Sequence, residues 1–201
     1  MNRRASRFMM VLVVLIFSTA MIPFSLAERA KRPMTVHKLE ELGLEIWTEG
    51  EPEWETELLH YGKKAVFTAQ SPVLYYPPAA MSYASFPGME VDSQELQEVA
   101  LSAIQQSGRN YQLSAESVEQ IAPVAVTYSE LTGYEATFSG RAHEEDVDVK
   151  VFVGHKPGKG PVVMQGYTLK GKLPHISEQI RRAWENVTYL PGPEQVSASP
   201  E

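Results

Sequence analysis

The stretch Val147-Asp-Val-Lys-Val-Phe-Val153 decides the fold. Side chains alternate between the two sides of a strand, so Val147, Val149, Val151 and Val153 share one face and Asp148, Lys150 and Phe152 the other. Four valines in register mark a strand facing a core, with Asp148 and Lys150 expected on an outer, solvated face. Reading outward, "VEQIAPVAVTYSE", "YEATFSGRAHE" and "PVVMQGYTLKG" carry the same period of two. Short turns are expected at "LTG", at the acidic run Glu144-Glu145-Asp146 and at "KPGKG". Strands joined by short turns pair antiparallel.

Two segments have a helical period instead. "VDSQELQEVALSAIQQSG" opens with Asp92 as N-cap and Glu95 three residues on, an acidic form of the capping box. Leu96, Val99, Ala100, Ala103 and Ile104 then form one apolar stripe. Gly108 is expected to close this helix at the C′ position. "LPHISEQIRRAWENV" places Pro174 in a first turn and lines up Ile176, Ile180, Ala183, Trp184 and Val187. Upstream, Leu44 and Ile46, the segment after Trp54, "KAVFTA" and "AMSYASF" read as further strands. The expectation is an α+β fold, an antiparallel β-sheet meander flanked by two main helices.

The N-terminus has the three parts of a secretory signal peptide. Arg3, Arg4 and Arg7 precede an apolar run over 8–17, Pro23 breaks it, and Ser25-Leu26-Ala27 suits cleavage near Ala27. Residues 1–27 are therefore expected to be the leader, 28–35 a flexible lead-in, 36–190 a single domain and 191–201 a disordered tail. The location implied is the bacterial periplasm or the exterior. Contact with a membrane is expected only through a leader that stays uncleaved.

The chain has 18 basic and 25 acidic residues and a formal charge of −7; without the three leader arginines, 15 basic stand against 25 acidic. That balance disfavours nucleic acid and anionic membrane surfaces. There is no cysteine, which removes disulfides, thiolate metal sites and cysteine nucleophiles, and favours a bacterial over a eukaryotic secreted protein.

The order of elements, with Gly43-Leu44 at the first strands, "LTGYEATF" at 131–138 and a closing helix ending in "WENVTYL", resembles the PsbP-like α/β/α sandwich family, its bacterial envelope branch in particular. That resemblance implies a scaffold or assembly role through partner binding rather than catalysis.

Chemical motifs are sparse. "GHKPGKG" has too few residues between Gly154 and Gly158, and Gly160 where a magnesium-binding hydroxyl belongs, so it is a hairpin loop and not a phosphate loop. No G-x-S-x-G nucleophile elbow occurs. A hydrolase with a dispersed site stays open as an alternative, as does a metal- or small-ligand-binding protein in which His143, Glu145 and Asp146 supply part of a site. His143 and His155 are expected at opposite ends of the sheet. "NVT" at Asn186 matches a glycosylation acceptor without meaning in a bacterium.

The proline-stiffened run 71–89 carries Tyr75, Tyr76, Met81, Tyr83, Phe86 and Met89. Exposed tyrosines and methionines suit a recognition surface, so Tyr75, Tyr76, Tyr83 and Phe86 are the candidate partner-binding residues. The competing reading is that Tyr83 or its neighbours pack on the core while the loop turns a corner. The reading as a whole is a non-enzymatic, exported envelope protein that needs no cofactor and binds another envelope protein.

Overall fold

The computed structural model describes residues 33–191; the expected leader and nearly all of the expected C-terminal tail lie outside them. Within these residues ten strands and three helices follow one another. The strands are β1 (Met34–Leu39), β2 (Leu44–Glu49), β3 (Glu55–Tyr61), β4 (Lys64–Gln70), β5 (Ala79–Ser85), β6 (Val124–Tyr128), β7 (Leu131–Ala142), β8 (Glu145–His155), β9 (Val162–Leu169) and β10 (Thr188–Tyr189). The helices are α1 (Ser93–Asn110), α2 (Ala115–Glu119) and α3 (Leu173–Glu185). The fold is α+β and every strand pairing is antiparallel.

A seven-stranded sheet in the order β3-β4-β5-β9-β8-β7-β6 forms the middle layer. On one face, Val147, Val149, Val151 and Val153 form a cluster with Ala136, Ala100 and Ile104, the last two from α1. The other face is covered as well. Phe152 and Met164 lie there with Ile176, Ile180 and Trp184 of α3, and with Leu44 and Ile46 of the three-stranded sheet β1-β2-β10. Helices therefore cap both faces of the large sheet. The outer face expected for β8 is correct for Asp148 and Lys150, which are part-exposed, but not for Phe152, which is fully buried.

Local chemistry explains the helix ends. Asp92 accepts hydrogen bonds from the backbone N–H groups of Gln94 and Glu95, and Glu95 Oε2 accepts from the Asp92 N–H at 3.1 Å. This is the reciprocal cap that the spacing predicts. Asp92→Ala is expected to cost about 1 kcal/mol, read as a lower urea midpoint at an unchanged slope.

The far end of α1 differs from expectation. The helix runs through Gly108 to Asn110, and Gln112, at φ 61°, takes the left-handed position. Gly108 is buried against α2: a Cβ there would stand 3.0 Å from Ile121 Cδ1 and 3.2 Å from Val118 Cγ2. Its smallness serves close packing rather than termination. Helix α2 itself replaces the expected start of a strand, because Ser114 caps it by accepting from the Ser117 N–H, and the strand begins only at Val124.

Two turns also move. The β6–β7 turn is Ser129-Glu130, with Leu131-Thr132-Gly133 already paired in β7. The β7–β8 turn is His143-Glu144 alone, with His143 at φ 57°.

On β1, His37 Nε2 lies 2.8 Å from Thr48 Oγ1. Burial holds its pKa below 6.5, against the opposing charge of Glu53. A histidine with a depressed folded pKa leaves the unfolded chain to take the proton first, so stability falls as pH drops through about 6.5. The melting temperature is therefore expected to fall further between pH 7.5 and 5.5 in the wild type than in His37→Gln.

Candidate functional site

Two surface features stand out, at opposite ends of the seven-stranded sheet. The first is the β4–β5 loop, 71–78, and its geometry starts from its anchors. Ser71 exchanges hydrogen bonds with Ala79 through its backbone N–H, and its Oγ accepts from the Ala79 N–H at 2.9 Å. The Thr168 hydroxyl donates to Pro78 O at 2.6 Å. Between these ends Tyr75 turns inward, 6% exposed. Its hydroxyl donates to the buried Glu49 carboxylate at 3.0 Å, and its ring meets Trp54 edge-on at 5.6 Å.

Plugging Tyr75 inward forces its neighbours outward. Val73 is 83% exposed and Leu74 96%, and Tyr76 is 47% exposed with the Lys172 ammonium 5.9 Å over its ring. Pro72, Pro77 and Pro78 restrict the backbone around them. The result is a protruding apolar tip on a constrained loop.

The second feature is a cleft of about 620 Å3 among the β1–β2 turn, the β3–β4 turn and the segment after β5. Leu42, Ala65, Phe86 and Met89 give it apolar walls, and Glu41, His60, Lys63 and Lys64 its charged rim. His60 Nε2 and Glu41 Oε2 are 2.7 Å apart. The Lys64 ammonium sits 5.7 Å from the Phe86 ring centre. The hydroxyl lining the cleft, Ser85, donates to Leu42 O rather than to His60.

The four aromatic candidates therefore separate. Tyr75 and Tyr83 are core side chains, 6% and 0% exposed, because each occupies an inward position where burial removes apolar ring area from water. Burial also pushes the Tyr83 hydroxyl far above its ordinary pKa. Tyr76 belongs to the tip and half-buried Phe86 to the cleft. Sequence reasoning missed Val73 and Leu74, whose signal is an apolar pair set between prolines. It also missed His60, Lys63 and Lys64, which come together with 41–42 and 85–89 only through strand pairing.

The acidic candidates do not converge. Glu145 and Asp146 are consecutive strand residues and point to opposite faces. Asp146 lies 3.6 Å from Arg141 Nε and 3.7 Å from Lys170 Nζ, while Asp148 accepts from Ser139 Oγ and from the Gly171 N–H. His143 is exposed in the turn. Among the described residues no group of three histidine or acidic side chains is placed to hold a metal ion. His143 and His155 do lie at opposite ends of β8. Nor, among the described residues, is any helix long and apolar enough to cross a membrane.

No protein-family model matches the chain, and no curated protein does. Solved structures do match. A protein from Bacteroides thetaiotaomicron VPI-5482 aligns with a TM-score of 0.50 at 8% identity, over 80% of this chain and 49% of its own. This chain thus spans about half the length of that structure. PA94, a protein of unknown function from Pseudomonas aeruginosa, aligns at 0.46 and 10% identity, over 79% of this chain and 99% of its own. LpqN, involved in cell envelope biogenesis of Mycobacterium tuberculosis, aligns at 0.47 and 12%, over 84% and 98%. At such identities the likeness is one of fold alone. The PsbP-like resemblance is supported as an arrangement, helices on both faces of an antiparallel sheet, and no further.

Proposed function

We propose that this protein is an exported component of the bacterial cell envelope that binds another envelope protein and catalyses nothing itself. The observation that carries the reading is the tip of the β4–β5 loop. Val73 and Leu74 are adjacent, 83% and 96% exposed, and set beside an inward anchor. Exposed apolar residues scattered singly need no explanation, but a contiguous pair on a constrained loop suits insertion into a partner's pocket. Constraint matters because a loop already held in its bound shape loses less entropy on association. The acidic surface of the chain disfavours an anionic lipid as the alternative occupant.

The leader-like N-terminus supports export and the lack of cysteine supports a bacterial setting. The double variant Val73→Ser/Leu74→Ser tests the reading. Both side chains face solvent, so the melting temperature is expected to stay within about 2 °C of wild type, since exposed substitutions fall within about ±0.5 kcal/mol. Crosslinking to the partner in intact cells is expected to drop at least tenfold, the loss of about 1.4 kcal/mol of binding. Undiminished crosslinking would refute the role of the tip.

A further inference from the structure

The cleft at the opposite end of the sheet has a chemistry of its own. Its rim carries two lysines and a histidine against a single carboxylate, in a chain whose overall charge is −7. That carboxylate, Glu41, is already engaged by His60 at 2.7 Å. Lys156, Lys150 and Lys170 each reach an acidic partner. Among the described residues, Lys63 and Lys64 reach none, although Lys64 lies over the Phe86 ring.

The backbone makes this placement obligatory. Tyr61 pairs with Lys64, so Gly62-Lys63 is a two-residue turn, with Gly62 at φ 65°. The turn therefore delivers two consecutive ammonium-bearing residues to one edge of the cleft. The opposite wall is the Phe86–Met89 turn, closed by a hydrogen bond from the Met89 N–H to Phe86 O at 3.1 Å. Ala65, Phe86 and Met89 supply apolar surface below the charges, with the buried Leu42 behind them. About 620 Å3 lies within the range of small-molecule sites.

We propose that this cleft binds an organic anion, a carboxylate or phosphate monoester on an apolar body. The anionic head lies between the Lys63 and Lys64 ammonium groups, and the apolar body lies along Phe86 and Met89. Cations set beside low-dielectric walls attract an anion more strongly than the same lysines on an open surface. The apolar walls then select for a ligand with a body over a bare inorganic ion.

Titration of the exported protein with octanoate and with octyl phosphate, followed by amide chemical shifts, tests this. At least one is expected to bind saturably, with the largest shifts at Gly62, Ser85 and Gly88. Octanol and acetate, each lacking one half of the ligand, are expected to bind at least tenfold more weakly. Lys63→Gln/Lys64→Gln is expected to weaken binding at least tenfold with an unchanged melting temperature. The stronger of the two anions identifies the head group. Saturable binding of neither anion, equal binding of octanol, or binding unaffected by the double variant overturns the proposal. These outcomes are independent of the loop tip, which lies at the other end of the sheet.

Discussion

Trp184→Ala is expected to lower the unfolding free energy by about 3–5 kcal/mol, the range for truncating a buried aromatic residue. Trp184 is 0% exposed and stands at the joint between α3 and the large sheet. Its ring meets Tyr128 edge-on at 5.4 Å and Phe152 at 6.3 Å, so it connects the helix to β6 and β8 at once. The Lys150 ammonium lies 5.8 Å from its ring and bonds Glu135 at 3.1 Å. Glu135 in turn accepts from the Tyr128 hydroxyl at 2.6 Å. Removing the indole leaves a cavity beneath this part-buried polar chain, where water cannot replace the lost ring contacts. Trp184→Phe keeps most of the apolar contact and is expected to cost clearly less. Urea unfolding of both variants checks the order; equal losses would mean that ring contact is not what matters.

Gly133→Ala is expected to destabilise by about 3 kcal/mol or more, at or beyond the top of the ordinary range for overpacking. Gly133 of β7 pairs with Gly154 of β8. A Cβ on Gly133 would run into Val153 O and Gly154 Cα, and would stand 2.8 Å from Val153 C. These are backbone atoms fixed by the β7–β8 ladder, so no side-chain rotation relieves the clash. Relief requires opening the ladder at its Thr132–His155 end, next to the Ser129-Glu130 turn. With a total stability of about 5–15 kcal/mol, such a loss leaves a large unfolded fraction on mild heating. A thermal melt reads it directly, and a melting temperature within 2 °C of wild type would refute the close approach.

How much of this was legible in the sequence depended on how local each signal is. The valine alternation of β8, the Asp92 cap and the α3 stripe are local patterns, and each stands as read. The second buried face of β8 was not legible, because one phenylalanine among charged residues does not reveal that α3 lies above it. Gly108 carries the same letter whether it ends a helix or makes room for α2. "LTG" looks like a turn until its pairing with Gly154 is known. The short α2 has only Ser114 to announce it.

The candidate site was half visible for a related reason. The proline- and tyrosine-rich run marked the correct loop, but composition does not tell which tyrosine turns inward. Tyr75 does so because Glu49 and Trp54, more than twenty residues upstream, wait for it. The acids around Asp146 read as a charged turn, with a metal site as the alternative. The partners of Asp146 were not legible because the arginine and lysine beside it come from a paired strand and a distant turn.

The most direct test of the central claim is photo-crosslinking from a single probe residue placed at position 74 in the full chain, in intact cells. The account predicts one discrete protein adduct, absent when the probe is at position 124 on the exposed β6 edge, and lost when Val73 and Tyr76 are both serine. Adducts to lipid alone, or the same adduct from position 124, would contradict it.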